Sequence, residues 1–257
     1  MSGIREVVPG ITVSTSKIML TNSIILSSEG EAFLIDPAWM PDELEAIGDF
    51  LLEQDLKVLG GFATHAHHDH LLWHPSFGKA PRWASALTAE LATNHRAGLI
   101  AALGPDFPAS LTDLMGRVHQ VPGTIPEECK PAGIDIEQIV HDGHSPGHTA
   151  LWLPQQRVLI AGDMLSDVEL PLPLHPGGLV AYQQGLEVLA PFARKAEIII
   201  PGHGHIGTDP GQRLDADRAY LDEFLRHGTS DDPRIGNPGM AEAHKRLQEQ
   251  TQNPREW

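Results

Sequence analysis

Apolar positions fall along the chain in two rhythms. Short apolar runs bounded by turn residues predict strands at 11–16 ("ITVSTS"), at 23–38 ("SIILSSEGEAFLIDPA", split by the hairpin signal "SSEGE") and at 57–65 ("KVLGGFATH"). Further strands are predicted at 134–143 ("IDIEQIVHDG"), at 150–163 ("ALWLPQQRVLIAGD", two runs about a turn at 154–156) and at 197–204 ("EIIIPGHG"). Helical spacing marks 41–55, with Pro41 early in the helix, then 179–196, then 211–228, which Gly228 closes. The stretch 84–114 reads as helix-rich, and a short helix at 240–250 follows a polar linker at 229–239. Antiparallel strands followed by strands alternating with helices, twice over, predict two sheets packed together with helices outside, a layered α/β architecture. The expectation is a single domain over 1–257 with a short C-terminal helical extension from about residue 229.

Composition narrows the class of partner. The 257 residues are 41% hydrophobic and 20% charged, enough to bury a sizeable core. Eighteen basic against 34 acidic residues give a net charge of -16, which repels phosphate backbones and anionic membranes. No nucleic acid and no membrane are therefore expected as partners. The single cysteine, Cys129, excludes an intramolecular disulfide and a thiolate cluster, and reads as an ordinary loop thiol. No run approaches the roughly 20 apolar residues of a spanning helix, and "MSGIREVVPG" has no export pattern, so the expected compartment is the cytoplasm.

The chemistry is concentrated where strands stop. "FATHAHHDH", residues 62–70, puts four histidines and an aspartate into six positions. In an extended segment i, i+2 and i+4 point the same way, so His65, His67 and Asp69 share one side, and His70 can reach a second position. Three other strand ends offer His148 in "HSPGHT", Asp163 in "VLIAGD" and His203 in "EIIIPGHG". Each is preceded by a glycine that lets the backbone approach a crowded centre. An ionisable group ending a buried apolar strand is costly unless paired or coordinated, so the set predicts two adjacent metal ions. Imidazole and carboxylate suit zinc first, with iron or manganese also accommodated, and open coordination positions mark a catalytic site.

"THAHHDH", with "PGH" at His148, "GD" at Asp163 and "PGH" at His203 in that order, resembles the HxHxDH signature and ligand order of the metallo-β-lactamase superfamily. "LIDPA" with Asp36 resembles its early strand-end aspartate, and the resemblance spans about residues 20–205. It implies a four-layered αββα sandwich of two mixed β-sheets flanked by helices. It also implies that His65, His67 and His148 hold one metal and Asp69, His70 and His203 the other, with Asp163 bridging.

The implied activity is hydrolysis of a small-molecule carbonyl compound, an ester, thioester or lactone, by a hydroxide held between two divalent ions. Asp69 would orient that hydroxide and pass a proton to the leaving group. Tyr182 is a weaker catalytic candidate, a donor to the carbonyl or its oxyanion. The proline-rich stretch 166–182 is expected to form a wall or lid of the substrate pocket. Asp36 is read either as orienting a ligand or as capping the turn before Pro37. His68 is expected to point away from the ligand side, and His144 reads as a polar loop histidine. Two rival activities follow from the same resemblance: a persulfide dioxygenase with a single iron, and β-lactam hydrolysis. Oligomeric state is not readable from the sequence.

Overall fold

The computed structural model describes residues 3–173, 175 and 177–252. The chain divides into two compact units, Met1–Gln138 with Leu153–Gln156, and Ile139–Trp152 with Arg157–Trp257.

The first unit is built on a seven-stranded sheet in the order β1 (Gly3–Val8), β2 (Ile11–Thr15), β3 (Asn22–Ser28), β4 (Glu31–Ile35), β5 (Lys57–Phe62), β6 (Arg82–Ala84) and β7 (His119–Gln120). Strands β1 to β4 form an antiparallel meander, and β4 to β7 pair in parallel. The switch is made by α1 (Pro41–Glu53), because a parallel neighbour needs a crossover connection. Helix α1 buries Leu44, Ile47 and Leu51 at helical spacing, each contributing about 1.5–3 kcal/mol relative to exposure. Its start is fixed by Glu43, whose carboxylate accepts from the backbone N–H of Met40 (3.2 Å) and of Lys17 (2.9 Å). Burial alone would raise the Glu43 pKa, but these donors hold it below its ordinary value. Gly61 is required by close packing: a Cβ there would lie 2.7 Å from the Trp73 ring. The predicted helix-rich middle resolves into β6 followed by α2 (Ala86–Asn94), α3 (Arg96–Ala102) and α4 (Ala109–Thr112).

The second unit carries a four-stranded sheet ordered β11 (Ile198–Pro201), β10 (Val158–Gly162), β9 (Thr149–Leu153), β8 (Glu137–Val140). Its core unites β9 to β11 with α5 (Gly178–Ala193), α6 (Pro210–His227) and α7 (Met240–Gln252) through Trp152, Leu186, Leu214, Phe224 and Leu247. No described helix is long and apolar enough to cross a membrane.

The C-terminal segment is tied into this unit by polar contacts. Arg234, in the 3-10 turn Pro233–Gly236, is buried, and its Nη1 donates to Asp217 Oδ1 (2.6 Å) and to the carbonyls of Ser166 (2.9 Å) and Glu169 (3.1 Å). Asn237 Nδ2 donates to the Val168 carbonyl (2.8 Å), and Asp217 Oδ2 accepts from the Leu165 N–H (3.2 Å). The backbone just after β10 is thus clamped. The expected wall or lid at 166–182 is held down over its first residues, while Leu174 and Pro176 lie outside the described residues.

Helices α6 and α7 meet at His244, where the Tyr220 hydroxyl lies 2.8 Å from Nδ1 and the Thr229 hydroxyl 3.3 Å from Nε2. Burial keeps His244 below its ordinary pKa, so the folded chain holds it neutral. The unfolded chain takes up that proton first, and stability falls as pH drops below about 6.5 toward the folded-state value. Melting temperatures between pH 7.5 and 5 should decline, and His244→Gln, which keeps an acceptor but does not titrate, should decline less steeply.

Candidate metal centre

Strand β5 ends at Phe62, and the next eight residues carry the first half of the site on the first unit. Asp36, immediately after β4, is 1% exposed and organises it. Its Oδ1 accepts the Thr64 N–H (2.8 Å), and its Oδ2 accepts the Thr64 hydroxyl (2.5 Å) and faces His70 Nδ1 (2.9 Å). An ionised carboxylate only accepts, so His70 carries its proton on Nδ1 and presents the Nε2 lone pair. The Thr64 hydroxyl has spent its one proton on Asp36, so toward His65 Nδ1, 3.0 Å away, it accepts. His65 is thereby also left with a lone pair on Nε2. That nitrogen lies 2.9 Å from His67 Nδ1, two donor atoms turned to one point in space. His70 Nε2 lies 3.3 Å from Asp69 Oδ2. Of the two readings of Asp36, ligand orientation is the one its partners describe.

His68 turns elsewhere. Its ring meets Trp39 edge-on at 5.1 Å and its Nδ1 lies 3.6 Å from Asp69 Oδ1.

On the second unit, the loop between β8 and β9 closes on itself: the His141 N–H donates to the His148 carbonyl (2.8 Å), and the Gly147 N–H to Asp142 Oδ1 (2.8 Å). This turns the two histidines of "HSPGH" in different directions. His148 is fully buried, and its Nε2 accepts the backbone N–H of Asp163 (3.1 Å), while its Nδ1 lies 3.3 Å from His141 Nε2. His144 instead faces the carboxylate, with Nε2 3.5 Å from Asp163 Oδ2. His203 Nε2 lies 3.2 Å from the same oxygen. One carboxylate oxygen therefore stands between two imidazoles, as a shared ligand would. His203 is anchored by Ser166, whose Oγ donates to the His203 carbonyl (2.7 Å). Burial pushes His141 down to about 4, with Asp142 opposing, so it is neutral at pH 7.

Among the described residues, side chains able to hold a metal ion form two groups of three or more. One comprises His65, His67, His144 and Asp163, the other Asp69, His70 and His203. The donor set, imidazole nitrogens and carboxylate oxygens, is one that suits two metal ions. His148, expected as a ligand, is not in either group, and His144 is. The sequence signal for this was present, since Gly143 precedes His144 just as Gly147 precedes His148. Tyr182 sits in α5, 1% exposed within the core cluster, and burial raises its pKa well above the ordinary value. It presents no surface to a substrate.

The profile of the metallo-beta-lactamase superfamily matches residues 18–203. The chain belongs to this superfamily. Its two mixed β-sheets flanked by helices are those of the superfamily's αββα fold. A probable metallo-hydrolase of Bacillus subtilis (strain 168), YflN, is 28% identical over 182 residues, 63% of this chain and 65% of that protein. The match thus spans just under two thirds of that relative. Among solved structures, a metallo-beta-lactamase from Pontibacter korlensis has a TM-score of 0.63 at 22% identity, covering 86% of this chain and 99% of that one. The inverting sec-alkylsulfatase Pisa1 from Pseudomonas sp. also reaches 0.63, at 17% identity, covering 88% of this chain and 42% of that one.

Asp36→Asn tests the hub. The amide would place an N–H donor where only acceptors belong, and the His65 and His70 tautomers would no longer be fixed. Metal affinity, measured by competition with a chromophoric chelator, should fall about 10–100-fold.

Proposed function

We propose that this superfamily member is a dinuclear metal-dependent hydrolase acting on an ester, thioester or lactone of a small molecule. His65, His67 and His144 hold one ion and Asp69, His70 and His203 the other, with Asp163 shared and zinc the ion that the donors suit first. The observation that carries the reading is Asp163 Oδ2, 3.5 Å from His144 Nε2 and 3.2 Å from His203 Nε2. It also supports His144 over His148, whose Nε2 is engaged by a backbone N–H.

Divalent ions held by these residues would polarise a carbonyl and acidify a water enough to supply hydroxide at neutral pH. The chain does the rest. Asp36 keeps His65 and His70 in the tautomers that offer lone pairs. Asp69 turns Oδ2 toward His70 while its Oδ1 lies 3.6 Å from His68 Nδ1; its carboxylate is the group that would orient the attacking water and carry a proton to the leaving group.

Two divalent ions per chain are expected by elemental analysis, with chelation abolishing turnover on a panel of esters, thioesters, lactones and β-lactams. His144→Ala should empty at least one position and lower kcat/KM more than about 100-fold, beyond what loss of an outer partner costs. His148→Gln and His68→Ala should keep wild-type metal content. If His148→Gln rather than His144→Ala empties the site, the ligand assignment falls. A single iron with oxygen uptake on a persulfide would replace hydrolysis by dioxygenation.

A further inference from the structure

Within the second unit, helix α5 meets the loop between β8 and β9 where two glycines face each other. A Cβ on Gly185 would lie 3.0 Å from Gly143 Cα and 3.4 Å from Gly143 N. It would also lie 3.2 Å from His141 Nδ1, the atom that accepts the Gly143 N–H (3.2 Å). Neither glycine has a positive φ, so the missing side chains serve space rather than conformation. Gly185 is buried in the interior of a 16-residue helix, where only proline is a poorer former than glycine. Helix formation therefore disfavours the residue that the contact requires.

Both sides of the contact are held in place. Helix α5 is fixed in the core by Tyr182, Leu186 and Leu189, none more than 1% exposed. The loop is closed by the bonds from His141 N–H to the His148 carbonyl and from Gly147 N–H to Asp142 Oδ1. Buried Met164 fills the space where Gly143 would carry a side chain, its Sδ 2.8 Å from the Cβ position. The residue that follows Gly143 is His144, whose Nε2 lies 3.5 Å from Asp163 Oδ2.

We propose that Gly185 is a positioning residue for the metal centre: the bare backbone of α5 is the surface on which the turn 141–143 rests, and it sets where His144 is presented. This rests on the reading of His144 as a metal ligand. A Cβ contact at 3.0 Å is too close, so an alanine methyl displaces the turn by a few tenths of an ångström. Metal–ligand distances hold to within about 0.2 Å, so a shift of that size reaches the ion while leaving the sheet and helices as they are. In the helix itself alanine is the better residue. A glycine that served packing alone would not couple to one particular ligand.

The test titrates the metal-free full chain with Zn2+ against a chromophoric chelator. Gly185→Ala should weaken one of the two ions about tenfold, the lower end of what disturbing an outer partner of a ligand costs, and leave the other unchanged. The melting temperature of the metal-free chain should stay at the wild-type value, helix propensity offsetting the closer contact. Gln184→Ala, on the exposed face of the same helix, should bind both ions as wild type does. A double-mutant cycle locates the effect: in a His144→Ala background, Gly185→Ala should cost nothing further. If Gly185→Ala does not fold, Gly143→Ala replaces it in the cycle, its methyl directed at the flexible Met164 thioether and at the His141 ring, and should weaken the same ion. Wild-type Zn2+ affinity in the glycine variant, equal weakening of both ions with a lowered melting temperature, or an undiminished loss in the His144→Ala background overturns the proposal. If His144→Ala itself binds both ions as wild type does, the ligand assignment fails and takes this role of Gly185 with it. A weakened His144→Ala beside an unaffected Gly185→Ala strikes out the positioning role alone.

Discussion

A carboxylate sealed from water survives as an anion only when donors surround it, and Asp36 has an N–H, a hydroxyl and an imidazole. Those three bonds do more than solvate a charge. Because Asp36 can only accept, it dictates where the protons of Thr64 and His70 sit, and through Thr64 where the proton of His65 sits. The loop after β5 is therefore presented with its lone pairs already selected. Geometry around the donors is secondary to this, since a ring in the right place with the wrong tautomer offers a proton where a lone pair is needed. The residue is paid for by backbone conformation as well: Asp36 sits at φ 47°, a region that few side chains adopt.

Much of this is legible in the sequence. Strands β2 to β5 and β9 to β11 are apolar runs ending in turn residues, and α1, α5, α6 and α7 keep helical spacing, so the layered class followed from pattern. Strand β1 was not visible because "GIREVV" is largely exposed and does not alternate, and β6 and β7 are three and two residues long. The histidine-rich loop is legible as a cluster of ligand types, but not through the period-two geometry expected of it, since residues 64–70 are bends and turns and Asp69 groups with His70 rather than with His65 and His67. The second half of the site was harder. His144 and His148 stand in equivalent Gly-His steps, and only the closure of the loop at His141 and Gly147 shows which ring faces Asp163. Tyr182 showed a polar tip in the sequence, but helix α5 turns it inward, a matter of tertiary packing that spacing does not reveal.

The superfamily fold leaves the scissile bond open. A metallo-beta-lactamase and an inverting sec-alkylsulfatase resemble this chain with equal TM-scores, so the αββα framework is common to unlike chemistries. What distinguishes one member from another lies in the side chains around the ligands and in the segment that follows β10.

That segment gives the C-terminal region a role its linker-like sequence conceals. Arg234 reaches from the turn before α7 to the carbonyls of Ser166 and Glu169, and Asn237 takes that of Val168. Trimming the chain at residue 229 to obtain a minimal catalytic fragment would therefore strip the donors from a row of carbonyls and leave Asp217 a buried anion without its cation. A shortened version would be a poor surrogate for the whole, however cleanly its sheet were preserved.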